Sequence, residues 1–200
     1  MLTERLDSSI TEAGCDEAGR GSLVGPVYAA AVIFPKGLVS LELNDSKKLS
    51  RRKRDQLREW IEREAVAYAV AYASREEIEK INILNASILA MHRALENLKV
   101  LPEIILVDGN RFKSFRNIQH TCIVKGDGIF MSIAAASILA KTYRDEYMDT
   151  LHAEFPEYGW NTNRGYATAR HLEAIRAHGL SPHHRKTFLA NIQTRLYFEI

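Results

Sequence analysis

Short apolar runs alternate with amphipathic stretches along this chain, and this pattern predicts an α/β fold. Apolar, partly β-branched segments at 10–15, 27–34 and 66–72 are typical of strands, and a glycine-rich turn joins the first two into a hairpin. Two further apolar segments, 103–108 and 120–127, each end in an acidic residue. The segments together predict a sheet that opens with a hairpin.

Helical patterns fill the intervals between and after these strands. Ser50 is a candidate N-cap after the basic loop 45–54, and Ser74 with Glu77 has the spacing of a capping box. The small-residue run SIAAASILA suits close packing of a helix against a sheet. Helices are predicted from Ser50 to about Glu64, in two pieces from Ser74 to about Leu98, from about Phe130 to Phe155, and from Thr168 to His178.

One α/β core followed by a helical extension is the simplest domain organisation. The chain has no internal repeat, low-complexity stretch or long linker. We place the core at residues 1–150 and the C-terminal helical extension, packed on that core, at residues 151–200. The tail after Ile192 carries no recognisable functional signature.

Composition limits the possible classes of protein. The chain has 200 residues, of which 46% are hydrophobic and 26% charged, and this excludes a disordered or collagen-like protein. The two cysteines have neither disulfide-framework nor zinc-site spacing, so a reducing cytoplasm fits best. No signal peptide and no run of about 18 apolar residues is present, so we expect a soluble, cytoplasmic monomer without membrane contact.

Four acidic residues are the strongest candidates for chemistry. Asp16 and Glu17 lie where the first strand meets the glycine-rich turn, and Asp108 and Asp127 end two later strands. Carboxylates that a sheet brings together repel one another, so such a cluster indicates a bound cation, and hard oxygen ligands favour Mg²⁺ or Mn²⁺. Two such ions support phosphodiester hydrolysis. Because neighbouring strand residues face opposite sides, the strand must be irregular at Asp16 and Glu17 for both to share one site.

Other residues are candidates for substrate contact, each with a structural alternative. The turn Gly19, Arg20 and Gly21 combines backbone freedom with a phosphate- or sugar-binding guanidinium, although a plain tight turn has the same sequence. Tyr166 is able to stack on a sugar or base, or simply to pack on the core. The net charge of +2 says almost nothing about a polyanionic partner, so a local basic cluster has to carry that inference. The cluster is either a solvated helix face or a phosphate contact, and it comprises Lys47, Lys48, Arg51, Arg52, Lys53 and Arg54, with Ser46 beside it.

Several other reactive side chains are interpreted as structural. Asp145 has helical spacing to Lys141, which predicts a helix-surface ion pair outside the site. His183 and His184 are adjacent in a turn, where two side chains seldom bind one metal, and Cys15 is read as a small core residue.

These motifs, in this order, resemble those of one family, bacterial ribonuclease HII, the type 2 ribonucleases H. The resemblance covers most of the chain. It depends on DEAGRG at 16–21, GPV at 25–27, DSKKLS at 45–50, INILNAS at 81–87, VDG at 107–109, KGD at 125–127, AASILAK at 135–141, GYAT at 165–168 and SPHHRKTF at 181–188.

The resemblance implies a ribonuclease H-like fold, with a mixed five-stranded sheet flanked by helices and a C-terminal helical segment that helps to hold the hybrid. It implies that Asp16, Glu17, Asp108 and Asp127 bind divalent ions. It further implies that the turn 19–21 recognises a ribose 2′-hydroxyl and that Tyr166 lies beside the junction sugar. The expected substrates are RNA/DNA hybrids and duplex DNA containing single ribonucleotides, cut on the 5′ side of the ribonucleotide to leave a 3′-hydroxyl and a 5′-phosphate.

Two residues depart from the family pattern. Ser22 stands where the family commonly has proline, and Ala167 stands where it has glycine, so the strictness of junction recognition is in question.

Two other functions stay open. A metal-dependent nuclease or phosphatase without 2′-hydroxyl selectivity would share the carboxylates without needing Arg20. A hybrid-binding module without catalysis would need the acids only for folding.

Overall fold

Five strands form one mixed sheet in the computed structural model, which describes residues 2–7, 9–40, 42–43, 46 and 49–189. The sheet order is β3-β2-β1-β4-β5; β1 and β3 pair antiparallel with β2, whereas β4 runs parallel to both β1 and β5. The arrangement confirms the predicted α/β class and mixed sheet. The strands are β1 (Glu12–Ala18), β2 (Val27–Ile33), β3 (Ala67–Ala73), β4 (Ile104–Asp108) and β5 (Gln119–Ile123).

The described helices begin and end close to the predicted positions. Asn82 interrupts α2 with a φ of 65°, and its side chain accepts a hydrogen bond from the Asn85 amide, so the two predicted pieces are present. No described helix combines the length and apolar composition needed to cross a membrane. The helices are α1 (Arg51–Glu64), α2 (Arg75–Glu96), α3 (Met131–Glu154), α4 (Trp160–Asn163) and α5 (Ala169–His178).

Both predicted N-terminal caps form. The Ser50 hydroxyl accepts a hydrogen bond from the Lys53 amide at 3.2 Å, which satisfies an otherwise free donor of the first turn of α1. Ser74 and Glu77 exchange reciprocal hydrogen bonds at the start of α2, as a capping box requires. Local sequence signals therefore fix where these helices begin.

Alternation along the central strands gives the sheet two apolar faces. Ala29 and Ala31 of β2 pack towards α2, whereas Ala30 and Val32 pack towards α1 and α3. The small side chains of β2 allow helices to approach both faces closely. This layered arrangement leaves the carboxyl ends of β1 and β4 as the place where polar side chains meet.

A third apolar cluster joins the end of the described chain to the rest. Trp160 of α4 is fully buried, and it packs in one cluster with Ile175 of α5, Met148 of α3, and Leu23 and Val24. Leu23 and Val24 follow the glycine-rich turn directly. The described part of the C-terminal region therefore packs against the segment next to that turn.

Helix α3 lies in close contact with β1 at Gly14. A Cβ atom on Gly14 would lie 2.2 Å from the carbonyl carbon of Ser132 and 2.4 Å from the Ile133 nitrogen, which are rigid backbone atoms. The three alanines at 134–136 that follow are fully buried. The close packing expected from the small-residue run is confirmed.

We predict that Gly14→Ala lowers the free energy of unfolding by about 2 kcal/mol, because the added methyl group forces β1 and α3 apart. Denaturant unfolding followed by circular dichroism measures the change. Gly128→Ala is the matched control, since a Cβ atom there meets nothing within 4 Å, and we expect it to change stability by less than about 0.5 kcal/mol. Equal stability of Gly14→Ala and the parent protein would contradict the packing account.

Candidate active site

A cavity of about 410 Å³ lies beside the carboxyl ends of β1 and β4. It brings together most of the residues that the sequence predicted for the site, including three of the four acids, the glycine-rich turn and the tyrosine. It also contains two polar residues that sequence reasoning did not place there, Ser137 and Lys141. The lining residues are Asp16, Glu17, Ala18, Gly19, Arg20, Gly21, Ser46, Asp108, Ser137, Lys141 and Tyr166.

Strand β1 carries both Asp16 and Glu17 within it, not at its exit. Its pairing with β2 continues without interruption through Asp16 opposite Ala30 and Glu17 opposite Ala29. The predicted irregularity is therefore wrong, because the antiparallel partner holds this part of β1 in regular register. Asp16 faces α3, and Glu17 lines the same cavity from the other side of the strand, beyond the point where pairing with β4 ends.

Asp16 is a buried carboxylate in an acidic environment. It accepts hydrogen bonds from the Glu17 amide, at 2.7 Å, and from the Ser137 hydroxyl. Burial raises its pKa well above the ordinary value, and the negative charges of Glu17 and Asp108 raise that pKa further. Any cation that enters the cavity therefore stabilises the ionised form of Asp16.

Asp108 and Asp127 are connected through the turn that follows β5. Asp108 ends β4, and its Oδ1 accepts a hydrogen bond from the Gly126 amide at 2.7 Å. Asp127 is buried in the 3-10 turn Gly126–Gly128 and is not among the cavity-lining residues. Its predicted place at a strand exit is wrong, because β5 ends at Ile123 and the chain turns at Lys125, where φ is 59°.

The Gly19–Gly21 turn forms one wall of the cavity. Gly19 has a φ of +94°, and a Cβ atom there would lie 2.1 Å from Nε of Arg144, so only glycine fits. The Arg20 guanidinium donates to Oε1 of Glu17 at 3.0 Å, and half of its side chain is exposed. Tyr166 lies at the cavity edge and is 38% exposed. Arg20 therefore compensates the charge of Glu17 in this structure.

Helix α3 supplies polar groups that sequence reasoning missed. Ser137 and Lys141 are four residues apart in the AASILAK motif, so they lie on one helix face, which was the available signal. The Ser137 hydroxyl is 3.0 Å from that of buried Ser46, which links Ser46 to Asp16 through Ser137. Burial lowers the pKa of Lys141. Lys47 and Lys48 lie outside the described residues.

The described members of the basic cluster are less available for binding phosphate than the sequence indicates. Arg51 donates to Asp149 and Lys53 to Glu42, each at 2.7 Å. Arg54 donates to the backbone carbonyls of Ser46 and Leu49. These partners compensate the charges of Arg51, Lys53 and Arg54, so the members of the cluster that the structure describes do not form a continuous free phosphate-binding face. Arg52 is exposed.

Asp145 is buried, and the predicted helix-surface position is wrong. Its carboxylate lies 3.7 Å from Arg54, 3.8 Å from Arg164 and 3.9 Å from Lys141, so the predicted Lys141 pairing is found within a larger buried cluster. Tertiary packing of the Arg164 loop against α3 covers the Asp145 side chain.

Cys15 is fully buried, and burial raises the pKa of its thiol. The predicted core role of Cys15 is confirmed.

The oxygen donors around Asp16 fit a hard divalent cation in their chemistry. Carboxylates of Asp16, Glu17 and Asp108 and the hydroxyl of Ser137 are the ligand types that Mg²⁺ and Mn²⁺ prefer. Within the described part of the chain, no three His, Cys, Asp or Glu side chains stand close enough together to form a complete metal site. The negative charges of Glu17 and Asp108, which together with burial raise the pKa of Asp16, would be stabilised by positive charge in the cavity.

A family model for ribonuclease HII matches residues 13–193. The chain belongs to the ribonuclease HII family. Ribonuclease HII of Bacteroides fragilis is 61% identical over 188 residues, which cover 94% of either chain. The protein is thus an RNase H endonuclease that acts on RNA/DNA substrates.

Solved structures of ribonuclease HII relatives share the fold. The ribonuclease H2 from Pyrococcus horikoshii OT3 superimposes with a TM-score of 0.78 at 23% identity, covering 95% of this chain and 100% of that one. The structure of the PCNA:RNase HII complex from Archaeoglobus fulgidus matches with a TM-score of 0.75 at 28% identity, covering 88% and 94%. The mixed sheet and flanking helices of this ribonuclease HII are therefore those of its relatives.

We predict that Asp16→Asn stabilises the metal-free ribonuclease HII at pH 7 by roughly 1 kcal/mol, because it removes a buried charge that neighbouring acids repel. A raised folded-state pKa destabilises the protein above that pKa and has no effect below the unfolded value, so the gain should disappear as the pH falls towards 4. Urea unfolding in chelator across this pH range measures the gain.

Asp145→Asn is the matched control, because Asp145 is a buried acid surrounded by cations. We expect it to destabilise the protein by about 3 kcal/mol, since it leaves buried charges uncompensated. Destabilisation of similar size by Asp16→Asn would refute the electrostatic description of the cavity.

Proposed function

We propose that this ribonuclease HII hydrolyses RNA in RNA/DNA hybrids and cuts on the 5′ side of single ribonucleotides embedded in duplex DNA, leaving a 3′-hydroxyl and a 5′-phosphate. The observation that carries the proposal is the convergence on one cavity of acids, an arginine-bearing glycine turn and a partly exposed tyrosine. Such an activity belongs to DNA replication and repair in the cytoplasm.

We assign divalent-ion binding, by Mg²⁺ or Mn²⁺, to Asp16, Glu17, Asp108 and Asp127. When bound, two such ions supply an activated water and charge stabilisation for phosphodiester hydrolysis. We include Asp127 because the backbone amide of its neighbour Gly126 donates a hydrogen bond to Asp108. The hydroxyl of Ser137 orients Asp16, so α3 takes part in presenting the carboxylate.

The remaining cavity residues are assigned to the substrate. Gly19, Arg20 and Gly21 bind the ribose 2′-hydroxyl, and Tyr166 packs against the junction sugar. Ser46, Lys47 and Lys48 contact the phosphates. A site built around a hydroxyl group rejects substrates that lack it by as much as about 10⁴-fold, because its polar groups are then left unpaired.

We retain the division into a core, 1–150, and a helical extension, 151–200, of which the structure describes the residues up to 189. Packing of Trp160 and Ile175 against Leu23 supports an extension seated beside the proposed recognition turn. In this arrangement the extension contributes to holding the nucleic acid, and one polypeptide chain contains all the assigned residues, so the protein acts as a monomer.

We predict that the protein nicks a labelled DNA duplex immediately 5′ of a lone ribonucleotide with Mg²⁺ or Mn²⁺ and that chelator abolishes the cut. Asp16→Asn should reduce cleavage to background while hybrid binding persists, since removing a ligand disrupts metal chemistry and also reduces repulsion of phosphate. Glu173→Gln, which changes an exposed acid of α5, is the control. Full turnover by Asp16→Asn would refute the assignment.

We predict that Arg20→Ala lowers the preference for a ribonucleotide over a deoxyribonucleotide at the cut by about 10-fold or more, the loss expected for a charge-assisted hydrogen bond. Arg52→Ala is the matched control, since Arg52 is exposed and outside the cavity, and it should weaken every duplex alike. If Arg20→Ala reduces cleavage of all substrates equally, the function without 2′-hydroxyl selectivity is correct instead.

A further inference from the structure

The segment Ser181–Arg185 of the C-terminal region lies directly against the chain that follows the glycine turn. The Gly25 amide donates to the His183 carbonyl at 3.0 Å, and the Arg185 amide donates to the Leu23 carbonyl at 2.7 Å. A β-bridge pairs Val24 with His184 between these two bonds. Backbone pairing therefore fixes the two buried side chains His184 and Arg185 beside the proposed recognition surface.

The Arg185 guanidinium holds both the turn 19–21 and the chain at Gly25 and Pro26. The side chain is fully buried, with Nε donating to the Gly25 carbonyl at 2.8 Å and Nη2 to the Pro26 carbonyl at 3.1 Å. Its Nη1 donates to the carbonyls of Gly19, at 2.9 Å, and Arg20, at 3.1 Å. Burial, together with the nearby charge of Arg144, lowers the pKa of Arg185 to about 9.

These bonds orient the peptide groups of the turn. In a trans peptide the C=O and the following N–H point in opposite directions. Because the Gly19 and Arg20 carbonyls point to Arg185, the N–H groups of Arg20 and Gly21 point away from it. Arg185 thus fixes the direction in which the backbone N–H groups of the turn point, although its own side chain does not line the cavity.

His184 acts on Tyr166 through a second buried imidazole. The Trp160 indole N–H donates to Nε2 of His171 at 3.0 Å, so the His171 proton lies on Nδ1, which donates to the Tyr166 carbonyl at 2.9 Å. Nδ1 of His184 accepts from the Ser181 amide at 2.9 Å, which leaves its Nε2–H to donate, at 3.2 Å, to the lone pair on Nε2 of His171 that the Trp160 indole N–H also shares. The hydrogen bonds specify one tautomer for each ring.

We propose that the segment Ser181–Arg185 is the shared positioning element of the recognition surface, with Arg185 orienting the turn 19–21 and His184 orienting the Tyr166 loop through His171. This inference rests on the proposed function, because it concerns how the assigned ribose contacts are held. The C-terminal region then has a role in substrate selectivity in addition to any direct contact with nucleic acid.

Amide hydrogen exchange, read by mass spectrometry on the full chain, tests the positioning itself. Arg185→Lys should speed exchange in peptides covering 19–26, because a single ammonium cannot hold four carbonyls. His184→Asn retains an acceptor for Ser181 but loses the donor to His171, so exchange should rise mainly at 165–168. Thr187→Ala, an exposed neighbour, is the control. Unchanged exchange in both folded variants, or a rise spread over the whole chain, would overturn the proposal.

Cleavage selectivity tests the functional consequence. Both variants should lose about 10-fold in the preference for a ribonucleotide over a deoxyribonucleotide at the cut, while Mn²⁺ affinity stays within about twofold because the carboxylates are untouched. An equal loss on every substrate would overturn the selectivity role. If the parent protein itself shows no ribonucleotide preference, the proposed function fails. In that case localised exchange changes still support the positioning role, and their absence overturns it.

Discussion

The close contact between α3 and β1 at Gly14 is the constraint on which the cavity depends. Because Gly14 has no Cβ atom, the backbone of α3 lies directly against the strand. Ser137, less than two turns further along α3, donates a hydrogen bond to Asp16. The same helix carries Lys141 into the cavity. A larger residue at position 14 would move all of these groups relative to Asp108, which is carried by the neighbouring strand.

Two buried aspartates on this framework have opposite electrostatic surroundings. Those of Asp145 stabilise the fold, whereas those of Asp16 favour the binding of a cation. Asp145 is surrounded by Arg54, Lys141 and Arg164, which compensate its charge within the fold. Asp16 has acids beside it, and burial raises its pKa further. A protein tolerates such an arrangement where a ligand supplies the missing positive charge. The electrostatics therefore agree with the proposed divalent-cation site.

The sequence predicted the sheet, the helix caps and most of the cavity, because these depend on local periodicity and on where strands end. It failed where tertiary context decides the outcome. The β2 register keeps β1 regular through Glu17, a left-handed residue at Lys125 separates Asp127 from β5, and packing of the Arg164 loop buries Asp145. His184 and Arg185 belong to the motif SPHHRKTF, but only the three-dimensional contacts connect them with Tyr166 and the glycine turn.

We propose that the buried acids form a divalent-cation site, and calorimetric titration with Mn²⁺ at pH 6, in two buffers with different ionisation enthalpies, is the decisive measurement. We expect binding with proton release, because the raised pKa of Asp16 has to be overcome on ligation, so the measured heat should depend on the buffer. We also expect Asp108→Asn to weaken binding strongly. Absence of binding, or binding that Asp108→Asn leaves unchanged, would show that these acids do not form a cation site.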